Sequence, residues 1–186
     1  MSPHVETHDI RREYDSVLAL DRVSIGAHLG QVTTIVGVNG SGKTTLLKIL
    51  AGLDTPTAGN VLIEGHEANP TQLRTHSTMV FQRSVMFGTS VYNNVAYGLK
   101  IEGVPGREIS QRVKSALTVV NLDGFEKRYA RKLSSGEQQR VAMARALALE
   151  RDVLLIDEPT ANLDPANAMI IERAIRDSSQ SRAVLL

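Results

Sequence analysis

The sequence contains no cysteine, which excludes a disulfide framework and a thiolate metal site and is consistent with a cytoplasmic location. Its longest apolar runs, such as VLLI at Val153–Ile156, are far shorter than the roughly 20 residues that a membrane-spanning helix needs. Charge is balanced, with 21 Lys and Arg against 20 Asp and Glu, so no overall field attracts nucleic acid or an anionic membrane. With 186 residues, 42% of them hydrophobic, the chain has the makeup of one globular domain with a hydrophobic core.

Four regions follow one another along the chain. Residues His4–Ile25 alternate polar and apolar positions, as half-exposed antiparallel strands do. Residues Gln31–Leu53 indicate a strand, a glycine-rich turn and a helix, which is the unit of a parallel α/β sheet. The third region, Thr89–Glu150, contains no convincing strand, and an apolar residue recurs every three or four positions between Ile109 and Val120. The fourth region returns to strand, helix and strand, with the helix beginning at Pro165.

These patterns predict an α/β fold with a mostly parallel central sheet, a small antiparallel β layer and an inserted helical lobe. We expect a single domain over 1–186, in which residues 1–88 and 151–186 form the α/β core and 89–150 form the lobe.

The strongest motif is GVNGSGKTT, Gly37–Thr45, which we call the phosphate loop because it satisfies G-x-x-x-x-G-K-[ST] between a predicted strand and a predicted helix. Glycines let successive backbone N–H groups point at phosphate oxygens, and the helix N-terminus adds positive potential. Lys43 would reach the β- and γ-phosphates, and the Thr44 hydroxyl would bind Mg²⁺. The alternative interpretation of this motif is a glycine-rich turn that contains a lysine by chance and binds no phosphate. The residues predicted to contact the nucleotide are Gly37, Val38, Asn39, Gly40, Ser41, Gly42, Lys43, Thr44 and Thr45.

A second motif is VLLIDE, in which an apolar strand delivers Asp157 and Glu158 at its carboxyl end. Open α/β sheets bind ligands at that edge. Asp157 would hold Mg²⁺, and Glu158 would orient or deprotonate an attacking water. Acidic residues also end strands simply because they are solvated there, so this motif alone leaves both interpretations open.

The third motif is LSSGEQQR, Leu133–Arg140, which we call the signature segment. Together with the two motifs above, it resembles the ATP-binding subunits of the ABC transporter family. The resemblance implies that Ser134 and Gly136 contact the γ-phosphate of ATP bound by an opposite subunit. A capping box, with Ser134 as N-cap and Glu137 three residues later, accounts for the same residues. It is compatible with contact to a γ-phosphate, because a capped helix N-terminus is also an anion site. Ser135 stands where the family usually has glycine, and would cost roughly 1 kcal/mol if its φ were positive.

Weaker matches follow from the same resemblance. Tyr14 lies where the family places an aromatic residue on adenine, although a lone tyrosine is often simple packing. Gln82 resembles a glutamine that contacts Mg²⁺ and the attacking water, although most glutamines are only surface residues. ANLD, Ala161–Asp164, resembles the loop through which two subunits communicate, and Asp164 is equally well explained as a helix cap.

The resemblance implies an ATP-hydrolysing subunit of a membrane importer, located on the cytoplasmic face of the membrane. Two copies would close head to tail around two Mg-ATP molecules and act on a separate transmembrane permease, with a substrate-binding protein involved indirectly and no nucleic acid. The stretch before the signature segment, ARK, lacks the Glu-Val-Gly-like residues of exporters. The lobe sequence is similar to subunits that serve tungstate or molybdate, which makes a small oxyanion the expected cargo.

Two other classes remain open from the sequence. A soluble ABC ATPase of the DNA-repair type needs a long heptad insertion, which is missing between Gln82 and Leu133, and the translation type carries two cassettes. A module that binds ATP without efficient hydrolysis is the other class. In the family, a strand like Ser181–Leu186 leads into a switch histidine, whereas all five histidines here precede Glu158. We therefore expect a truncated core that binds Mg-ATP and hydrolyses it slowly, since losing one such donor costs about 2.7 to 4 kcal/mol.

Overall fold

The computed structural model describes residues 2–161 and 163–186. The chain forms two compact units, which we call the sheet unit and the helical unit. The sheet unit contains the residues up to Met79, Arg151–Asp157 and Ser178–Leu186, and the helical unit contains Val80–Glu150 and Glu158–Asp177.

The elements alternate between short strands and helices. In chain order they are β1 (Val5–Tyr14), β2 (Val17–Val23), β3 (Gly26–Ala27), β4 (Val32–Thr33), α1 (Lys43–Leu50), β5 (Ala58–Ile63), β6 (His66–Glu67), α2 (Pro70–His76), β7 (Ser77–Val80), α3 (Val91–Ile101), α4 (Gly106–Val119), a short 3-10 helix (Ala130–Lys132), α5 (Ser135–Ala148), β8 (Val153–Ile156), α6 (Pro165–Ser179) and β9 (Ala183–Leu185).

The strands form two sheets. One has the order β2-β1-β5-β6 with β3 also paired to β1, and its strands pair antiparallel. The other has the order β4-β9-β8-β7, and β9 pairs in parallel with both β4 and β8. All four residues of β8 are buried, as expected for a parallel strand covered on both faces. The predicted α/β fold with an antiparallel β layer is confirmed.

The strand before the phosphate loop is shorter than predicted. β4 covers only Val32–Thr33, although the N–H of Ile35 still donates to the carbonyl of Leu186 at 2.6 Å. The pairing with β9 therefore continues beyond the regular strand and supports the start of the loop. At the other end of the loop, α1 buries four apolar residues against the core, whereas Leu53 lies beyond the helix and is 52% exposed.

The helical unit packs α3, α4 and α5 together. Residues 89–150 all lie in this unit, are all described and include no strand. The predicted apolar face of α4 is buried at Ile109, Val113 and Leu117, and Val120 just after the helix is also buried. The unit also includes residues 80–88 and most of α6, which begins at Pro165 as predicted.

Among residues 2–161 and 163–186, every helix is too short or too polar to cross a membrane.

Candidate functional site

The phosphate loop lies between the β4–β9 pairing and α1. The Lys43 ammonium folds back over the loop and donates to the carbonyl oxygens of Gly37 at 2.8 Å and Val38 at 3.2 Å. Gly42 immediately precedes α1 with φ +92°, and a Cβ there would lie 2.4 Å from the carbonyl oxygen of Ala19. Only glycine fits this turn, which aims the N-terminus of α1 at the loop.

The side of the loop around Gly40 is open. Gly40 has φ +81°, and no heavy atom lies within 4 Å of the place where a Cβ would stand. The neighbouring Val38 side chain is 79% exposed, which is unusual for valine. The loop thus presents its backbone to the outside, as a phosphate cradle requires.

Thr44 and Asp157 come together although they are 113 positions apart in the sequence. The Thr44 hydroxyl lies 3.0 Å from Oδ1 and 2.8 Å from Oδ2 of Asp157. Asp157 is only 8% exposed, so its carboxylate depends on such bonds for stability. A hydroxyl and a carboxylate are the oxygen ligands that Mg²⁺ prefers, so this pair fits that ion.

In the helical unit, Gln82 contacts Glu158. The Gln82 amide donates to Glu158 Oε2 at 2.7 Å, across 76 positions of sequence. Glu158 is exposed and has φ +44°, in the left-handed region that non-glycine residues seldom adopt. Backbone strain of this kind typically costs about 1 to 3 kcal/mol and concentrates at functional sites.

The signature segment begins α5 with a capping box. The Ser134 hydroxyl accepts the N–H of Glu137 at 3.3 Å, and the Glu137 carboxylate accepts the N–H of Ser134 at 2.8 Å. Ser135 is the first helical residue and does not have a positive φ, so the strain considered for serine at this position does not arise. Gly136 is buried, and a Cβ there would lie 2.7 Å from the Asn167 side chain.

Asp164 and Asn167 form the start of α6. The N–H of Asn167 donates to Asp164 Oδ1 at 3.0 Å, and the Asn167 side-chain amide also donates to this carboxylate. These bonds, the backbone one first, lower the pKa of Asp164 below its ordinary value. The predicted helix-cap role of Asp164 is confirmed. Within the predicted ANLD loop, Asn162 lies outside the described residues.

Tyr14 belongs to a small polar cluster at the end of β1. The guanidinium of Arg12 stacks over the Tyr14 ring, 4.3 Å from its centroid, and the Tyr14 hydroxyl bonds to Asp54. Arg12 also pairs with Asp54 at 2.7 Å. Desolvation raises the pKa of Asp54, but bonds from Tyr14 and the Thr55 N–H, together with Arg12, outweigh it and lower that pKa overall.

Sequence reasoning missed Arg12, Asp54, Asn167 and Gln139. Arg12 stands two positions before Tyr14 on a strand, so the period of two was a usable signal for a shared face. Gln139 is buried, donates to the carbonyl of Phe81 at 3.2 Å and bonds the Ser84 hydroxyl, so it holds the chain on both sides of Gln82. Nothing in the sequence distinguishes Gln139 from its neighbour Gln138.

Several curated proteins are similar to this chain. The Fe(3+) ions import ATP-binding protein FbpC of Escherichia coli O157:H7 is 43% identical over 175 residues, which cover 93% of this chain and 49% of that protein. The tungstate uptake system ATP-binding protein TupC of Peptoclostridium acidaminophilum is 38% identical over 183 residues, covering 98% of this chain and 85% of that protein. The chain spans about half the length of the iron-import relatives that it matches.

Solved structures share the fold. CbiO1 of Clostridium perfringens, described as part of the ABC transporter complex CbiONQ, superposes with a TM-score of 0.87 at 29% identity, covering 100% of this chain and 78% of that one. A bacterial Atm1-family ABC exporter with ATP bound gives a TM-score of 0.83 at 30% identity, covering 99% of this chain and 34% of that one. The sequence profile described as ABC transporter matches residues 20–161. With its phosphate loop, strand-end carboxylates and signature segment in place, the chain belongs to the ABC transporter family.

Proposed function

We propose that this chain is the ATP-binding and ATP-hydrolysing subunit of an ABC importer. The observation that carries the proposal is the contact between Thr44 and Asp157, which joins the phosphate loop to the strand-end carboxylates. A glycine-rich turn that served only as a connection would not need a buried carboxylate bonded to the first helical turn. The relatives that import iron and tungstate support the transport role.

Nucleotide binding would use the phosphate loop and Tyr14. The Lys43 ammonium donates hydrogen bonds to two backbone carbonyl oxygens of the loop. When nucleotide binds, it would donate to β- and γ-phosphate oxygens instead, so that charged acceptors replace neutral ones. The N–H groups of the loop and of the first turn of α1 would bind the remaining phosphate oxygens. Tyr14 is 39% exposed, and because the Arg12 guanidinium stacks over one face of its ring, adenine would stack on the other face.

Thr44 and Asp157 would hold Mg²⁺, with Gln82 contributing as the sequence predicts. When bound, the ion neutralises charge on the β- and γ-phosphates. The protein residues supply oxygen ligands whose positions are fixed by burial of Asp157 and by the start of α1.

Glu158 would act as the base that orients the attacking water. The Gln82 amide bonds one of its two carboxylate oxygens, so the side chain is held in one orientation while the other oxygen can accept a hydrogen bond from water. The Gln82 side chain would thereby serve in catalysis as well as near the ion. The strained backbone of Glu158 agrees with a functional position.

Ser134 and Gly136 would bind the γ-phosphate of a nucleotide held by a second copy of the chain. The Ser134 hydroxyl is at the exposed N-terminus of α5, where a capped helix end attracts anions. A head-to-tail homodimer follows from this arrangement, because each nucleotide would need residues of both subunits.

The transport role implies a transmembrane permease subunit and a position on the cytoplasmic face of the membrane. The helical unit is the part of the chain that we propose for contact with the permease, and a substrate-binding protein would act through the permease. Relatives are named for iron and for tungstate, so an oxyanion cargo stays a prediction, and we assign cargo selection to the partner proteins.

The binding part of the proposal is tested by titration calorimetry with Mg-ATP. We expect Lys43→Ala to remove most of the binding heat, because the loop loses its only side-chain cation, whereas Lys48→Ala at the other end of α1 should bind like the parent chain. Equal heats for the two variants, or no heat for the parent, would contradict the proposal.

The catalytic part is tested by phosphate release. We expect Glu158→Gln to lower the rate about a hundredfold or more while the Mg-ATP affinity changes little, since a positioned base contributes about 10²- to 10⁴-fold. Glu172→Gln on the exposed face of α6 is the matched control. A rate that is the same in both variants would instead favour a module that binds ATP without hydrolysing it.

A further inference from the structure

Two histidines and an aspartate that belong to none of the three motifs meet in the sheet unit. His4 precedes β1, His76 ends α2, and Asp152 precedes β8. Each offers one ligand atom, and these atoms all lie within 4.8 Å of one another. His76 Nδ1 lies 3.3 Å and His4 Nε2 lies 3.9 Å from the same oxygen, Asp152 Oδ2.

The His4 imidazole is buried with an unsatisfied nitrogen. Its side chain is 8% exposed, and among residues 2–161 and 163–186 Nε2 has no hydrogen-bond partner, because Asp152 Oδ2 is 3.9 Å away, too far for such a bond. A buried polar atom without a partner usually costs about 1 to 3 kcal/mol, so this atom needs an explanation. The Asp152 carboxylate and the His76 imidazole lie nearby, and a metal ion would share these side chains with it.

Glu64 supplies the outer contact that metal-binding histidines commonly have. Its Oε1 lies 3.5 Å from Nδ1 of His4, the ring nitrogen other than Nε2. A carboxylate at this position favours a proton on Nδ1 and leaves a lone pair on Nε2. The lone pair is then on the nitrogen that lies 3.9 Å from Asp152 Oδ2.

The spacing of the three ligand atoms suits a small tetrahedral ion. Bonds of about 2.0 to 2.1 Å at tetrahedral angles place neighbouring ligands about 3.4 Å apart. The two distances to Asp152 Oδ2, 3.3 and 3.9 Å, bracket that value. All three ligand atoms lie within 4.8 Å of one another, so a movement of at most about 1.4 Å by the exposed His76 and Asp152 side chains would give tetrahedral spacing.

We propose that His4, His76 and Asp152 bind a divalent transition-metal ion of the Zn²⁺ class, with water in the remaining position. Two imidazoles and one carboxylate favour Zn²⁺, Co²⁺ or Ni²⁺ over Mg²⁺, which prefers an all-oxygen set. The ion would link three segments that are far apart in the sequence and so stabilise the sheet unit. This site is separate in residues and ligand type from Thr44 and Asp157, and it stands without the proposed transport role.

The test is a Zn²⁺ titration of the untagged chain in excess Mg²⁺, which occupies oxygen-only sites, followed by calorimetry. We expect one Zn²⁺ per chain. Affinity should fall about a hundredfold or more in His76→Gln and Asp152→Asn, each of which removes one ligand. In Glu64→Ala it should fall about tenfold to a hundredfold, as for other outer-sphere contacts.

His8→Gln is the matched control. His8 is exposed and lies 3.3 Å from Glu6, so it pairs with one carboxylate as His76 does but is outside the cluster. It should bind Zn²⁺ like the parent chain. Far-UV circular dichroism confirms folding, and because His76 is 42% exposed its variant should keep the fold.

A second readout uses Co²⁺ and heat. Bound Co²⁺ should show the intense visible absorption of a tetrahedral site, and Zn²⁺ should raise the Tm of the parent chain and the His8→Gln variant but not of folded His76→Gln. If the parent chain fails to bind Zn²⁺, or binds it no better than His76→Gln, the three residues are only a hydrogen-bonded surface pair beside a buried histidine, and the proposal is wrong.

Discussion

The phosphate loop and the signature segment each contain a glycine with no room for a Cβ, but different kinds of atom occupy the space beside the two glycines. At Gly42 the nearest atom is a backbone oxygen, that of Ala19 at 2.4 Å, and φ is +92°. At Gly136 the nearest atoms belong to the Asn167 side chain at 2.7 Å, and the backbone is helical.

This difference separates two ways in which a sequence can require glycine. At Gly42 the requirement comes from the main chain, so no change in a neighbouring side chain can relieve it. At Gly136 it comes from one side chain, which is itself held by Asp164.

Gly42→Ala should give the largest loss of stability. Placing alanine in the left-handed region costs about 1 to 2 kcal/mol, and the contact with Ala19 adds about 1 to 3 kcal/mol of overpacking. We expect the free energy of unfolding to fall by about 3 kcal/mol, measured by urea denaturation.

Gly40→Ala is the control for that measurement. Gly40 also has a positive φ, +81°, but open space where its Cβ would stand, so only the backbone contribution of about 1 to 2 kcal/mol applies. Equal losses for Gly40→Ala and Gly42→Ala would show that the contact with Ala19 does not matter.

Gly136→Ala should cost about 2 kcal/mol through overpacking against Asn167. The double variant Gly136→Ala/Asn167→Ala should recover most of this, because the side chain that closes on the glycine is gone. A double-mutant cycle of urea unfolding, with Asn167→Ala alone as its fourth corner, measures the coupling. Additive losses would contradict the close contact.

Ser134→Ala should lower the free energy of unfolding by about 1 kcal/mol, because the N-cap bond to the Glu137 N–H is lost. Ser135→Ala is the control, since Ser135 is exposed and is the first helical residue rather than the cap. It should change stability by less than about 0.5 kcal/mol. A larger effect in Ser135→Ala than in Ser134→Ala would be inconsistent with this cap.

The smallest effect concerns pH. The lowered pKa of Asp164 means that its ionised form is favoured in the fold, so its contribution to stability is complete above the unfolded value of about 3.9 and is lost as the pH falls through the lower folded value. We expect Asp164→Asn to reduce the acid sensitivity of unfolding, measured by urea denaturation between about pH 2.5 and 6. Identical pH profiles for both chains would contradict this assignment.

Much of the fold could be predicted because its signals are local. The alternation around β1 and β2, the three-to-four spacing in α4 and the proline that begins α6 each act within a few residues. The strand before the phosphate loop was predicted too long, because β-branched residues indicate extended backbone but not where regular pairing stops. The capping box at Ser134 was also readable, since both of its partners lie within one turn.

The sequence predicted residues for the candidate site but not the partners that these residues have in the structure. Sequence placed Thr44 and Asp157 in a common task, yet only the structure shows that one carboxylate receives the hydroxyl at 2.8 and 3.0 Å. Roles for Gln82 and Glu158 were predicted separately, and only the structure shows the 2.7 Å hydrogen bond between their side chains. Arg12 and Asp54, which hold Tyr14, had no motif of their own.

The sequence by itself determined the helices, strands and phosphate-binding chemistry of this protein, because backbone sterics, periodic burial and capping depend on neighbouring residues. The tertiary structure alone decided which distant side chains meet, including the His4, His76 and Asp152 cluster. The physical reason is that such meetings depend on how strands and helices pack. The order of residues along the chain does not specify that packing, and a shift of about 1 Å is enough to make or break a hydrogen bond.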